Sequence, residues 1–373
     1  MIVALIYNLK PEAPTKSSPA EAQAPTNRDS HFTFFGTDNH QRQSNDIYAE
    51  WDSIETIEAV RSALEERYVV LMIEANSQAT AKLLENRPDF AFNIAEGLHG
   101  RSREAQIPAI LEMLRIPYLG SDPLTLAVCL DKSRAKEILS YHGIPTAPFV
   151  VVDSVDGLMG TNVRLPSVVK PLHEGSSKGI YNSSVVRNMD ELTREVRLIL
   201  RTYNEPAIVE EFLPGREFTV AMLGNGDDVR ILPIVEISFD ALPAGVNHIY
   251  SYEAKWIWDT TERPLNIFTC PASIDATLRG EIENICRGAY RILNCRDWSR
   301  IDMRLDGEGR PDILEVNPLP GILPKPEDNS CFPKAARAAG MSYNQLINTV
   351  LDIAMKRCGV AVPSVQNGAV AIV

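Results

Sequence analysis

The chain has 373 residues, 37 Lys and Arg against 49 Asp and Glu for a formal net charge of −12, with 45% hydrophobic and 23% charged residues. This is the composition of a soluble globular protein, and its acidic balance without a Lys/Arg run argues against binding a nucleic-acid backbone. One core stops growing at roughly 250 to 300 residues, so the length predicts two or three domains with ligand clefts between them, and no apolar run approaches the roughly 18 residues of a membrane span.

A short apolar strand is expected over residues 2–7, and because no basic flank precedes it the chain reads as cytoplasmic. Residues 9–45 carry Pro11, Pro14, Pro19 and Pro25 among polar residues, which predicts a mobile loop. Asp52 then reads as a helix cap with Glu55 three residues on, followed by Ile54, Ile57, Val60 and Leu64 on one face. Strands at 69–73 and 90–94 alternate with helical patterns such as Ile107, Ile110, Leu111 and Leu114, the signature of a small parallel α/β domain over residues 1–130. Beyond it the expected order is a helix from 131 to 142, strands at 149–152, 167–170, 207–212 and 217–223, and a helix at about 275–293. A last helix follows, opened by a Ser342/Gln345 capping box and stopped near Gly359. This divides the chain at 131–226, 227–358 and a tail over 359–373. The six cysteines, Cys129, Cys270, Cys286, Cys295, Cys331 and Cys358, form no CxxC pair and no zinc spacing, so buried free thiols are expected.

The stretch SRIDMRLDGEGRPDILEVNP, residues 299–318, reads as a β-hairpin. Alternation puts Ile301, Met303, Leu305, Leu314 and Val316 on one face and Arg300, Asp302, Arg304, Glu315 and Asn317 on the other. Alternation does not choose the turn. Asp306-Gly307 is the best tight turn, but it would set Asp302 against Pro311. A longer loop over 306–311 pairs Leu305 with Asp312, Asp302 with Glu315 and Arg300 with Asn317, and it is preferred because Gly307, Gly309 and Pro311 resist a regular strand. Two carboxylates about 5 Å apart repel by roughly 3 kcal/mol at an effective dielectric near 20, so that pairing requires a proton, a cation or open water. Two carboxylates and an amide oxygen suit Mg²⁺; a solvated face neutralised by Arg300 and Arg304 is the plain alternative.

LPSVVKPLHEGSSKGI, residues 165–180, places Lys170 at a strand end ahead of a Gly/Ser loop whose backbone could approach a phosphate. An exposed turn has the same look. Gly175, Ser177 and Gly179 also satisfy G-x-S-x-G, yet the flanking sequence is not strand-turn-helix, and His248 is the only downstream histidine for a hydrolase. AIVEEFLPGREFTVAML, residues 207–223, reads as two strands about Pro214-Gly215, with Glu210, Glu211 and Glu217 near the turn, where they could accept from adenine and ribose. Neither a Walker A motif nor a G-x-G-x-x-G after a strand is present.

Taken in order, Lys132, Lys170, the 175–179 loop, Glu210 to Glu217, Lys255, Arg300, Asp302, Glu315 and Asn317 resemble the ATP-grasp superfamily, most closely the D-alanine–D-alanine ligase family. The likeness runs over residues 92–356 and includes ILEMLRIPYLGSDPLTLAVCLDKSRAK, VVKPLHEGSSKGI, VEEFLPGREFTV, YEAKW, RIDMRLDGEGRPDILEVNPLPG and AARAAGMSYNQLI. It implies an ATP-grasp fold behind an N-terminal parallel α/β domain, and an ADP-forming carboxylate-amine ligase that works through an acyl phosphate. By the same resemblance Lys132 and Lys170 hold ATP phosphates, and Glu210, Phe212, Leu213 and Glu217 border adenine and ribose. Asp302, Glu315 and Asn317 ligate two Mg²⁺, Ser176 sits on the closing loop, and Lys255 and Arg300 face the transferred phosphate and the oxyanion. Gly321 and Glu50 are the candidate substrate contacts. Small amino acids or carboxylates are the implied partners, without nucleic acid or membrane; a homodimer is compatible.

Three departures bear on substrate. Trp256 stands where the family pattern has Tyr, the acceptor loop PLPGILPKPEDNSCFP is longer than the family's serine-containing loop, and the N-terminal substrate glutamate has no clear counterpart beyond Glu50. Ligation of other amino acids, or a nucleotide-binding regulatory module without ligation, are the alternatives.

Overall fold

The computed structural model describes residues 1–11, 46–158, 160–259 and 265–362. Most of the Pro-rich stretch expected as a mobile loop, and the end of the expected tail, lie outside these residues. In the N-terminal unit β1 (Ile2–Tyr7) runs parallel between β2 (Val69–Glu74) and β3 (Phe90–Asn93). Its continuous apolar run follows from burial on both faces. Ala4 and Ile6 pack with Ile73, Leu83 and Leu111, while Val3 and Leu5 join Ile57, Leu64, Phe90 and Phe92. The helices α1 (Ile54–Glu65), α2 (Ala79–Asn86) and α3 (Gln106–Leu114) supply the partners of these residues. The cap of α1 is Ser53 and not Asp52: the Ser53 hydroxyl accepts from the Thr56 amide at 3.3 Å, whereas Asp52 is held in a parallel bridge to Leu9. That displacement of one residue frees the Asp52 carboxyl.

Two consecutive helices lead into the next unit, α4 (Pro123–Leu130) capped by Asp122 and α5 (Lys132–Tyr141) capped by Asp131, which accepts from the Ser133 and Arg134 amides. The second cap sets Lys132 as the first helical residue. The central sheet has the order β4 (Phe149–Val152), β7 (Ala207–Glu211), β5 (Ser167–Pro171), β6 (Val185–Val186), antiparallel throughout. Its core is closed by Leu192, Val196 and Ile199 of α6 (Met189–Thr202).

The C-terminal sheet runs β11 (Phe268–Thr269), β10 (Val235–Ile237), β8 (Glu217–Leu223), β12 (Trp298–Leu305), β13 (Pro311–Asn317), with β9 (Arg230–Ile231) on β8. Helices α7 (Ala276–Ile292), α8 (Cys331–Ala338) and α9 (Tyr343–Arg357) pack on it, the last opened by the expected Ser342/Gln345 capping box. The strands either side of Pro214-Gly215 are not a hairpin: β7 pairs with β4 and β5, and β8 with β10 and β12. The chain therefore passes from the central sheet to the C-terminal sheet at the 212–216 turn. Gly215 is required there, since a Cβ on it would lie 2.6 Å from Leu305 Cβ.

One core joins the first and third units. Trp298 of β12 meets Phe92 of β3 at 5.9 Å between ring centroids and Phe332 of α8 at 5.7 Å, both edge-on. All six cysteines are free thiols, and among the described residues no helix is long and apolar enough to cross a membrane. Trp298→Ala should cost about 3 to 5 kcal/mol by emptying this junction. Urea unfolding monitored by far-UV dichroism is expected to show the lowered midpoint.

Candidate functional site

The three units meet around a cavity of about 550 Å³. All fourteen residues singled out from sequence line it: Glu50, Lys132, Lys170, Ser176, Glu210, Phe212, Leu213, Glu217, Lys255, Arg300, Asp302, Glu315, Asn317 and Gly321.

The hairpin has the preferred register at its functional end, with Arg300 opposite Asn317 and Asp302 opposite Glu315. A bulge after Asp302 then shifts the ladder, so that Leu305 faces Pro311 and not Asp312. The bulge also overturns the expected place of Leu314: Ile313 enters the core, and Leu314 joins Glu315 on the cavity wall. Strict alternation fails because one extra residue on β13 opposes β12.

The opposed carboxylates are bridged by cation and amide. Arg300 donates to Asp302 at 3.0 and 2.8 Å and to Glu315 at 3.4 Å, and Asn317 Nδ2 donates to the same two groups at 3.3 and 3.2 Å. Thr219 Oγ1 donates to Asp302 Oδ1 at 2.5 Å. Burial raises the Asp302 pKa, Arg300 opposing and Glu315 adding to the rise. At Glu315 burial is outweighed by Lys132 and Arg300, which hold the carboxyl down at about 2. The donor set fits Mg²⁺: two hard carboxylates and an amide whose oxygen a half-turn would present, gathered on a wall where positive charge is already required.

A second knot of charge lies on the central sheet. Glu210, with a side chain only 2% exposed, forms ion pairs with Lys136 at 3.0 Å and with Lys170. Burial alone would raise its pKa, but the two lysines take it to about 2. Lys136 was not legible as a site neighbour. It sits one turn after Lys132 on α5, and only the fold turns it to Glu210. On the far side Glu217 pairs with Arg304 at 3.0 Å, and the Arg304 guanidinium lies 4.9 Å over the Phe212 ring.

The Gly/Ser loop is tied to the N-terminal unit. Gly175 N donates to Glu50 at 2.7 Å, and Arg103 donates to Glu50 at 2.7 and 2.9 Å and to Glu174 at 3.0 Å. Lys132 donates to the Glu174 carbonyl, and Lys178 pairs with Glu174 at 2.9 Å. Ser176 and Ser177 both occupy the left-handed region, at φ 51° and 60°, a strained pair of the kind found at ligand-binding turns. Trp256 does reach Ser176, by donating from its indole nitrogen to the Ser176 carbonyl at 3.1 Å. The contact that a tyrosine hydroxyl would make to a side chain is thus replaced by one to backbone. Lys255, one residue before, has its pKa lowered to about 8 by burial and by Arg300.

The hydrolase arrangement does not form. Ser177 Oγ donates to the Tyr250 carbonyl at 2.9 Å, while the exposed His248 ring stacks on Phe239 at 6.1 Å.

Several cavity residues were missed in sequence. Glu96, Glu104 and Asp52 line the wall, as do Ser330 and Cys331 at the start of α8, where Ser330 donates to the Gly321 carbonyl at 3.1 Å. Ser330 ends the long loop after Pro318, a few residues ahead of the matching phrase AARAAG, a signal that could have located it.

Glu210→Gln should destabilise the fold by about 3 to 5 kcal/mol, because two buried lysines lose their counter-charge, with partial recovery in Glu210→Gln combined with Lys136→Met. A carboxyl depressed from 4.5 to about 2 stabilises the folded state above its unfolded pKa. That increment is lost as pH falls from 4.5 through about 2, and urea midpoints across this range should show the loss in the wild type and not in the variant.

The model of the D-ala D-ala ligase C-terminus matches residues 138–352. A D-alanine–D-alanine ligase of Bordetella avium is 37% identical over 274 residues, covering 73% of this chain and 80% of the relative. One from Pelotomaculum thermopropionicum is 33% identical over 319 residues, 83% of this chain and 93% of the relative. An uncharacterized protein, y4sG, of Sinorhizobium fredii is 38% identical over 270 residues, 71% of this chain and 74% of its own length. The crystal structure of the D-alanine–D-alanine ligase from Bacillus anthracis shares the fold at a TM-score of 0.66 and 23% identity, with 96% of this chain and 98% of that one covered. The chain therefore belongs to the D-alanine–D-alanine ligase family of ADP-forming ATP-grasp carboxylate-amine ligases.

Proposed function

We propose that this cavity joins the carboxyl group of one amino acid to the amino group of a second, giving a dipeptide-like amide with ADP and phosphate as products. The observation that carries the reading is the opposed pair Asp302 and Glu315, capped by Arg300 and Asn317, in one cavity with Lys132, Lys170 and Lys255.

A carboxylate is a poor acyl donor, and transfer of the γ-phosphoryl group of ATP to it creates an acyl phosphate that an amine can attack. Asp302, Glu315 and Asn317 would hold Mg²⁺, which when bound disperses charge on the phosphate oxygens. Lys132 and Lys170 orient the triphosphate from α5 and β5. Phe212 and Leu213 border the base, and Glu217 accepts from the ribose hydroxyls. The 174–178 loop, anchored by Glu50 and Trp256, covers the reacting groups and excludes water that would hydrolyse the acyl phosphate. Arg300 and Lys255 face the phosphate being transferred, and Arg300 stabilises the oxyanion that forms when the amine adds. Gly321 and Ser330 border the acceptor. The demand for ATP supports operation in the cytoplasm.

Asp302→Ala or Glu315→Ala should lower the rate of amine-dependent ADP formation by about a thousandfold or more, with dichroism unchanged. A coupled assay with Mg-ATP and pairs of D- and L-amino acids measures it, and retained turnover would contradict the assignment. Affinity for ATP should weaken as pH rises through about 8, where Lys255 releases its proton and its attraction for phosphate. Quenching of tryptophan fluorescence by ATP reads this, and Lys255→Met should flatten the profile.

A further inference from the structure

The residue that precedes the covering loop is a buried histidine set between two carboxylates. His173 follows the end of β5 and is only 2% exposed. Its Nδ1 lies 2.8 Å from Glu205 Oε2, its Nε2 lies 3.4 Å from Asp131 Oδ2, and its backbone amide donates to the same Glu205 oxygen at 3.2 Å. A neutral imidazole has one N–H and one lone pair, whereas an ionised carboxylate only accepts. Both ring nitrogens therefore satisfy their partners only when both carry a proton, and the ring is an imidazolium. The balance of forces agrees: burial lowers the His173 pKa, but the hydrogen bonds and charges of Asp131 and Glu205 outweigh it and leave it raised.

Each partner belongs to an element that the site uses. Asp131 Oδ1 caps α5 by accepting from the Ser133 and Arg134 amides at 3.1 Å, which sets Lys132 as the first helical residue. Glu205 lies in the turn that enters β7, the strand of Glu210. The other charges around this segment hold its backbone or each other. Arg103 donates to the His173 carbonyl at 2.9 Å, Lys132 donates to the Glu174 carbonyl, and the Glu174 carboxylate is turned to Arg103 and Lys178. The imidazolium is what joins the α5 cap to the β7 turn. Loss of its proton would set a lone pair against one of the two carboxylates and loosen the root of the loop.

We propose that His173, in its protonated form, is a positioning residue of this enzyme: it pins the root of the 174–178 loop to the cap of α5, so that the loop and Lys132 close on nucleotide together. The proposal rests on the ligase reading and adds to it a residue outside the cavity lining. Charge-assisted hydrogen bonds of this kind are each worth about tenfold or more in an equilibrium.

Hydrogen exchange of the full chain saturated with Mg-ADP, corrected for the intrinsic effect of pH on exchange, reads the closed loop. At pH 6, H173Q should lower the protection of amides 174–178 by about tenfold or more. In the wild type that protection should be complete below the His173 midpoint and fall as pH rises through it, the midpoint being followed by NMR of isotopically labelled histidine. E205Q should move the midpoint and the loss of protection together to lower pH, and it carries the test if H173Q does not fold. Protection indifferent to H173Q, a wild-type midpoint at or below the ordinary histidine value of about 6.5, or a midpoint unmoved in E205Q would overturn the proposal. ADP formation with pairs of amino acids separates the two readings. An H173Q enzyme with wild-type kcat and KM for ATP sinks the positioning role and keeps the ligase. Protection lost in H173Q, with no turnover of any pair by the wild type, keeps the positioning role and sinks the ligation.

Discussion

Acidic side chains crowded into one cleft are the constraint on which the rest of this structure depends. Asp302 and Glu315 face each other across a hairpin, and each nearby cation is placed to make that tolerable: Arg300 bridges them directly, and Lys132 acts on Glu315 from the start of α5. The same logic recurs at Glu210, where two buried lysines share one carboxylate. Fixed charges arranged before any ligand arrives are what allow an enzyme to stabilise a transferring phosphoryl group without reorganising at the moment of reaction.

The N-terminal unit is more than a support. Its Glu50 and Arg103 hold the Gly/Ser loop through Gly175 and Glu174, so the covering loop of the central unit is positioned by residues far away in sequence. Trp298 links the same unit to the C-terminal sheet through Phe92 and Phe332. The N-terminal unit and the C-terminal sheet are thereby held in register by one core.

The Lys132, Lys170 and hairpin walls follow the family's phrases, while the chain's departures from them fall at Trp256 and in the loop between Pro318 and Ser330. Trp256 meets the backbone of Ser176, and the long loop after Pro318 runs on to Ser330 at the head of α8. The acids Glu96, Glu104 and Asp52 face the same space.

The sequence by itself determined the elements and the facing of the two carboxylates, but not the turn. Apolar periodicity predicted β1, the capping box opened α9, and alternation put Asp302 and Glu315 on one face of a hairpin, where the bulge after Asp302, and not the expected loop, sets them opposite each other. These signals are local, arising from a few neighbouring residues whose backbone preferences add. What tertiary structure decided was everything that depends on contacts between distant segments. Partners separated by a hundred residues cannot be read from spacing, which is why Glu50 meets Gly175 and why Lys136 turns to Glu210 only in the folded chain. The β13 bulge that moves Leu314 into the cavity, and the passage of β8 into the C-terminal sheet, have the same origin, since strand order and register follow from packing between sheets and not from the pattern within one strand.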